Sequence, residues 1–285
     1  LQERVPKTSV LLHPYSREAQ TSRRVQDRAT SEPVMRVFTN PNAPVPDVHL
    51  LSNGRYHVMV SAAGSGYSRW NDLAVTRWRE DPTSESLGVF CYIGDSVSRR
   101  SWSNSFQPML RAGGHYEAVF TPGRAEFRRQ DDQVETHTEI AVSTEDDLEI
   151  RRIKLTNRSD TARSLLVTTF AEVVLAPGVT DELHRAFSNL FVQTELEPDH
   201  NAVLMTRRPR WSEEQPPWMF CCLQATGGKV GACSYETDRA RCIGRGRSTR
   251  RPAMLDDWGP LSGSAGSVLD PCAALRRTVE LPVDH

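Results

Sequence analysis

At 285 residues, 38% hydrophobic and 25% charged, the chain can bury a full-sized core, which excludes wholesale disorder. Lys plus Arg number 35 against 36 Asp plus Glu, a net charge of -1, so no overall field points to nucleic acid or to an anionic membrane. No run reaches the roughly 18 apolar residues of a membrane span, and the opening Leu-Gln-Glu-Arg-Val-Pro-Lys carries neither an initiator Met nor a signal-peptide core. The expectation is a soluble, cytoplasmic segment of a longer polypeptide without direct membrane contact of its own, either free in the cytoplasm or at the cytoplasmic face of a bacterial inner membrane as part of a membrane protein.

Residues 1–48 are rich in Pro, Arg and Ser, with Pro41, Pro44 and Pro46 near their end. They read as an extended lead-in holding one early strand, Val34–Phe38, ahead of a β-sandwich domain over 49–285. Short β-branched or aromatic segments bounded by Gly, Asp, Asn and Ser then predict strands at Tyr56–Val60, Val89–Ile93, Tyr116–Thr121, Ala125–Gln130 and Val134–Val142. Further ones are predicted at Leu148–Asn157, Ser164–Leu175, Leu190–Thr194, Val203–Arg207, Trp218–Leu223 and Leu275–Leu281. In the Leu148 segment, Ile153 and Leu155 alternate with Arg152, Lys154 and Thr156, so the aliphatics face inward. The turn-forming Asn157-Arg158-Ser159-Asp160 then predicts a hairpin with the apolar run from Leu165. One short helix is expected, Thr180–Ser188, with Thr180 as N-cap and Asp181 and Glu182 in its first turn. Many strands and few helices give an all-β fold of two packed antiparallel sheets.

The chemically densest stretch is Asn53 to Pro82, with two Trp, two Tyr, four Arg and three Gly. Aromatic faces beside planar hydrogen-bonding groups suit a sugar, whose C–H face lies on a ring while Asp and Arg meet its hydroxyls. Tyr67, Arg69, Trp70, Asp72, Arg77 and Trp78, on a loop expected from Tyr67 to Asp81, are therefore candidate substrate-binding residues. The bland reading places Trp70 and Trp78 in the core and pairs Arg77 and Arg79 with Glu80 or Asp81 at its edge. Gly64-Ser65-Gly66 lacks the context of a nucleotide fingerprint and reads as a tightly turned or mobile loop.

The string Gly-Ser-Gly-Tyr-Ser-Arg-Trp-x-Asp-Leu-Ala-Val-Thr-Arg-Trp-Arg-Glu-Asp, residues 64–81, resembles the N-terminal domain of cellobiose phosphorylase-type glycoside phosphorylases, as also found in cyclic β-1,2-glucan synthases. The likeness continues at Thr156–Ser159, Ala171–Pro177, His184–Phe191, Gly244–Arg247 and Gly266–Pro271, and so covers nearly the whole chain. It implies a super-β-sandwich of the galactose mutarotase-like kind that packs on a helical barrel carrying the general acid. It also implies inorganic phosphate as co-substrate of the parent enzyme, a glucan oligosaccharide as ligand, and a possible homodimer in which the sandwich lends residues to an active-site rim. Where the family has Pro after the His of its His-x-Ala-Phe element, this chain has Arg185.

Other constellations read as structural. The eight histidines show no metal-ligand spacing, and the six cysteines no CxxC pair, so neither a metal nor a cofactor is expected. Glu135, His137 and Glu139 share one strand face by period two and read as a solvated surface. Glu145-Asp146-Asp147 is a turn, since productive carboxylate pairs come from separate elements. The arginine clusters at 207–210 and 245–247 read as solvated loops because acids are interspersed around them. No catalytic residue is expected, and the segment alone is expected to be inactive. The leading reading is a carbohydrate-binding and assembly domain of a larger glucan-acting enzyme, with a purely structural bracing or dimerisation module as its rival.

Overall fold

The structure, a computed structural model, describes residues 35–81, 85–209 and 211–283; most of the expected lead-in, residues 1–34, lies outside the described residues. A five-stranded sheet runs in the order β1 (Arg36–Phe38), β8 (His115–Thr121), β9 (Arg124–Asp131), β10 (Val134–Val142), β11 (Glu149–Asn157). A ten-stranded sheet has as its spine β16 (Lys229–Val230), β18 (Pro271–Leu281), β12 (Arg163–Pro177), β5 (Leu73–Thr76), β4 (Gly66–Trp70), β3 (Tyr56–Ser61) and β2 (Val48–Ser52). Off that spine, β17 (Ser234–Asp238) pairs with β18, β6 (Phe90–Asp95) with β12, and β7 (Ser101–Ser103) with β6. A three-stranded sheet comprises β13 (Val192–Glu197), β14 (Ala202–Arg207) and β15 (Trp218–Cys222). The pairings are antiparallel, and among the described residues helix is confined to α1 (Gly178–Asn189), α2 (Arg239–Ile243) and two short 3₁₀ turns.

Period-two alternation builds the sandwich. Ala118, Phe120, Ala125, Phe127 and Ile140 of the five-stranded sheet pack on Val58, Val60, Val75, Val173 and Leu175 of the ten-stranded one. Farther along, Ile93, Trp102, Leu165, Val167 and Val279 pack with Val134, Ile153 and Leu155, so the inward facing of Ile153 and Leu155 is as expected. The opposite face of the large sheet is also covered, because Phe90, Tyr92, Phe170, Cys272 and Ala274 meet Cys242, Ile243 and Met254 from the 239–261 segment. Burial on both faces explains why β12 reads as a near-continuous apolar run. Truncating a buried ring such as Phe127 would cost about 3–5 kcal/mol.

Three local expectations are corrected. The hairpin of the Leu148 and Ser164 segments does not form: β11 pairs with β10, whereas β12 pairs with β18, β6 and β5. The Asn157 turn is a crossover between sheets, and its buried side-chain amide donates to the carbonyls of Thr161 and Pro282 at 2.8 and 3.0 Å. Thr180 is not an N-cap; α1 begins after Pro177 and has no side-chain cap, and a non-helical His184 interrupts it. The Tyr67–Asp81 stretch is not one loop, since it contains most of β4 and all of β5. Gly66 is required there: at φ +156 a Cβ would lie 2.0 Å from the Met59 carbonyl oxygen of the paired strand.

Candidate functional site

Strand β4 sorts the candidate residues between two faces. Tyr56 opposes Trp70 and Met59 opposes Tyr67 across β3–β4, so Tyr67 and Arg69 point one way while Ser68 and Trp70 point the other. The tight turn to β5 is made by Asn71 at φ 49 and Asp72. Asp72 is fully exposed, and its carboxylate lies 3.7 Å from the Arg69 guanidinium.

On the Tyr67 side, the ring of Trp78 lies 5.7 Å from that of Tyr67 at an interplanar angle of 54°. Both rings are half-buried, and Arg69, Arg79 and Glu80, one or two residues from them in sequence, are exposed. The result is a tilted aromatic pair with exposed charged residues next to it in sequence, residue types that can take the C–H face of a pyranose and meet its hydroxyls.

Trp70, on the other side, closes against the five-stranded sheet. Its indole N–H donates to Asp147 Oδ2 at 2.7 Å, Arg55 Nε donates to Asp147 Oδ1 at 2.8 Å, and Ser68 Oγ donates to Glu149 Oε1 at 2.7 Å. The hydrogen bonds from Arg55 and Trp70 hold the Asp147 carboxyl below the usual range. Asp147 is thus a partner of Trp70, a contact between sheets that sequence spacing does not disclose.

Arg77, directly after β5, has 2% of its surface exposed. Its fork is bidentate on Asp181, Nε to Oδ2 at 2.8 Å and Nη2 to Oδ1 at 2.9 Å, while Nη1 reaches Glu172 Oε2 at 2.6 Å and Nη2 reaches Asn189 Oδ1 at 2.8 Å. Arg239 Nε donates to Glu172 Oε1 at 2.5 Å, and Arg185 Nη2 lies 3.3 Å from both Glu172 and Asp270. Burial alone would lower the pKa of Arg77, but its hydrogen bonds to Asp181 and the charges of Glu172 and Asp181 outweigh that and raise it. Burial likewise opposes ionisation of Glu172, and the surrounding Arg239, Arg77 and Arg185 reverse it, leaving its carboxyl below the ordinary range. The network ties the segment after β5 to β12, α1, α2 and the turn before β18. Arg185 is its third cation.

The expected pairing of Arg77 with Glu80 or Asp81 is therefore replaced by a buried one. The signal that could have found it was Glu172, a carboxylate inside an apolar strand run, where a charge must have a partner. Glu135, His137 and Glu139 do share one face. His137 Nε2 lies 2.9 Å from Glu126 Oε2, and the ligand atoms of Glu126, His137 and Glu139 lie within 4.8 Å of one another. Arg124, Arg128 and Arg152 already neutralise those carboxylates. Two surface concavities, of about 380 and 570 Å³, lie on the outer face of the five-stranded sheet and at residues 246–256, away from Tyr67–Asp81.

The sheets define an all-β antiparallel sandwich domain. The chain belongs to the glycosyl hydrolase 94 supersandwich domain family, whose model matches residues 31–285. It is 35% identical over 250 residues to cyclic beta-(1,2)-glucan synthase NdvB of Rhizobium meliloti (strain 1021), covering 88% of this chain and 9% of that protein. Identity to N,N'-diacetylchitobiose phosphorylase of Vibrio furnissii is 24%, over 85% of this chain and 30% of the relative. With 3-O-beta-D-glucopyranosyl-beta-D-glucuronide phosphorylase of Paenibacillus borealis it is 26% over 136 residues, 47% of this chain and 17% of the relative. The chain thus spans less than a third of the length of these relatives. Among the described residues no helix is long and apolar enough to cross a membrane.

Proposed function

We propose that this chain is the carbohydrate-binding and assembly domain of a larger glucan-acting glycosyltransferase or inverting phosphorylase, in which it presents the Tyr67–Trp78 aromatic pair to a glucan oligosaccharide. That pair, with Arg69 and Asp72 at its rim, carries the reading. Tyr67, Arg69, Asp72 and Trp78 contact sugar; Trp70 and Arg77 hold the strands that carry them, through Asp147 and Asp181. The likeness to a cyclic β-1,2-glucan synthase supports that glucan as the ligand class. The general acid belongs to a helical barrel of the same polypeptide, and inorganic phosphate is the nucleophile of its phosphorolytic step. Six free thiols support a reducing, cytoplasmic location.

In the full polypeptide, the double exchange Tyr67→Ala and Trp78→Ala is expected to raise KM for glucan in a variant that loses some stability but still folds. Unaltered kinetics in a folded variant would refute sugar contact.

A second reading is favoured by α1, whose polarity is inverted. Asp181, Ser188 and Asn189 are buried, while Val179, Leu183 and Phe187 of α1 and Leu190 just after it are 60, 68, 57 and 43% exposed. An apolar stripe turned to solvent is an interface in waiting. Bracing of the helical barrel, or homodimerisation, is the function it serves, and it is compatible with sugar contact elsewhere.

A further inference from the structure

Residues 244–252 form a loop whose charge is unbalanced. It carries Arg245, Arg247, Arg250 and Arg251 and no acid. Arg247 alone among them finds a carboxylate, Asp256 at 2.5 Å. Four cations less that one anion leave +3 in a chain whose net charge is -1. The side chains of Arg245, Arg250 and Arg251 have no hydrogen-bond or ion-pair partner among the described residues. The solvated-loop reading of this cluster rested on interspersed acids, and the loop has none within it. By contrast, Arg207 of the other cluster is buried and donates to the Val174 carbonyl at 2.9 Å.

The loop is pinned. The buried Tyr92 hydroxyl donates to the Thr249 carbonyl at 2.8 Å, and Thr249 Oγ1 donates to the Ser86 carbonyl at 3.3 Å. Cys242 and Ile243 on one side and Met254 on the other are core residues. Between these anchors Gly246 turns the backbone at φ +69. Gly246, Arg247, Ser248, Arg251 and Asp256 line a cavity of about 570 Å³. The Ser248 hydroxyl and the N–H groups of Gly246 and Ser248 meet no acceptor among the described residues.

Forked cations, a free hydroxyl and free amides around one concavity, held by a pinned backbone, are the complement of a multiply charged oxyanion. We propose that this loop is a phosphate-binding site. Arg251, Ser248 and the amides of Gly246 and Ser248 contact the oxygens, Arg247 bridges Asp256 to the anion, and Arg245 and Arg250 strengthen the field from the rim. A tetrahedral dianion fits the +3 excess better than a carboxylate, which offers two oxygens and one charge. The phosphate is either free or carried as a monoester on a sugar. This site is independent of the aromatic pair and of the glucan reading.

The test is an amide NMR titration of the whole chain at low ionic strength with inorganic phosphate, with glucose 6-phosphate, and with sodium chloride at matched ionic strength. Saturable shifts at Gly246 and Ser248 are expected with phosphate and not with chloride, and tighter binding of glucose 6-phosphate would identify a sugar monoester as the source. The triple variant Arg245→Ala, Arg250→Ala, Arg251→Ala should weaken binding by about tenfold or more. Lys154→Ala, an exposed cation on the five-stranded sheet, should leave it unchanged. Should the triple variant misfold, Arg245→Gln alone removes an exposed, unpartnered charge and should still weaken binding. No saturation with either phosphate, or equal affinity in the loop variants and the wild type, would overturn the proposal.

Discussion

Arg77 and Asp181 meet fork to fork, with Nε 2.8 Å from Oδ2 and Nη2 2.9 Å from Oδ1, both residues at most 4% exposed. One joins the end of β5 and the other the first turn of α1, so the pair makes the aromatic strand and the helix a single positioned unit. Breaking it leaves an unpaired buried charge. Arg77→Ala or Asp181→Ala is expected to cost about 3–5 kcal/mol, read by chemical denaturation. Arg77→Lys should not restore stability, because an ammonium cannot reproduce the two-pronged contact.

Glu172 sets an acid limit on the fold. Its folded pKa lies below the ordinary 4.5 because Arg239, Arg77 and Arg185 outweigh its burial. A carboxyl depressed in the folded state stabilises above its unfolded pKa, and that stability is lost as pH falls through the folded pKa. Denaturation midpoints should therefore decline as pH drops below about 4.5. Glu172→Gln should be less stable at neutral pH and show a shallower decline.

Trp70 is expected to act as a strut. Trp70→Ala should destabilise by about 2–3 kcal/mol, less than the full loss for a buried Trp because the ring is only half-buried. Trp70→Phe should retain most of the packing while releasing Asp147. Differential scanning calorimetry of the two variants checks the order.

Much of this arrangement was legible from alternation alone. Strand β10 is found at Val134–Val142, its expected span, because it alternates cleanly between a buried and a polar face. Strands β4 and β5 were hidden, since Gly66, Ser68 and Arg69 give β4 a loop-like composition and β5 is only four residues long after the Asn71-Asp72 turn; pairing with β3 and β12 makes them strands. The β11–β12 connection was misread because a turn signal fixes a change of direction and not the sheet that the next strand joins. Tyr67 and Trp78 were singled out together and do meet, whereas Trp70, three residues from Tyr67, was assigned beside them and lies on the opposite face. Partners remote in sequence, Asp147 for Trp70 and Asp181 for Arg77, carry no local signal.

The outer stripe of α1 makes a separate prediction. Leu183→Glu and Phe187→Glu sit at exposed positions, so each should change the stability of this chain by no more than about 0.5 kcal/mol. Either should abolish association with the helical barrel or with a second copy, as read by sedimentation of the assembled protein.

The most direct measurement is a titration of this chain with linear β-1,2-glucooligosaccharides, followed by tryptophan fluorescence in the wild type, Trp78→Ala and Trp70→Phe. Saturable binding that survives Trp70→Phe and is lost in Trp78→Ala is the predicted result. Absence of binding at millimolar sugar, or binding that Trp78→Ala leaves intact, would contradict the assignment of the Tyr67–Trp78 pair as the sugar contact.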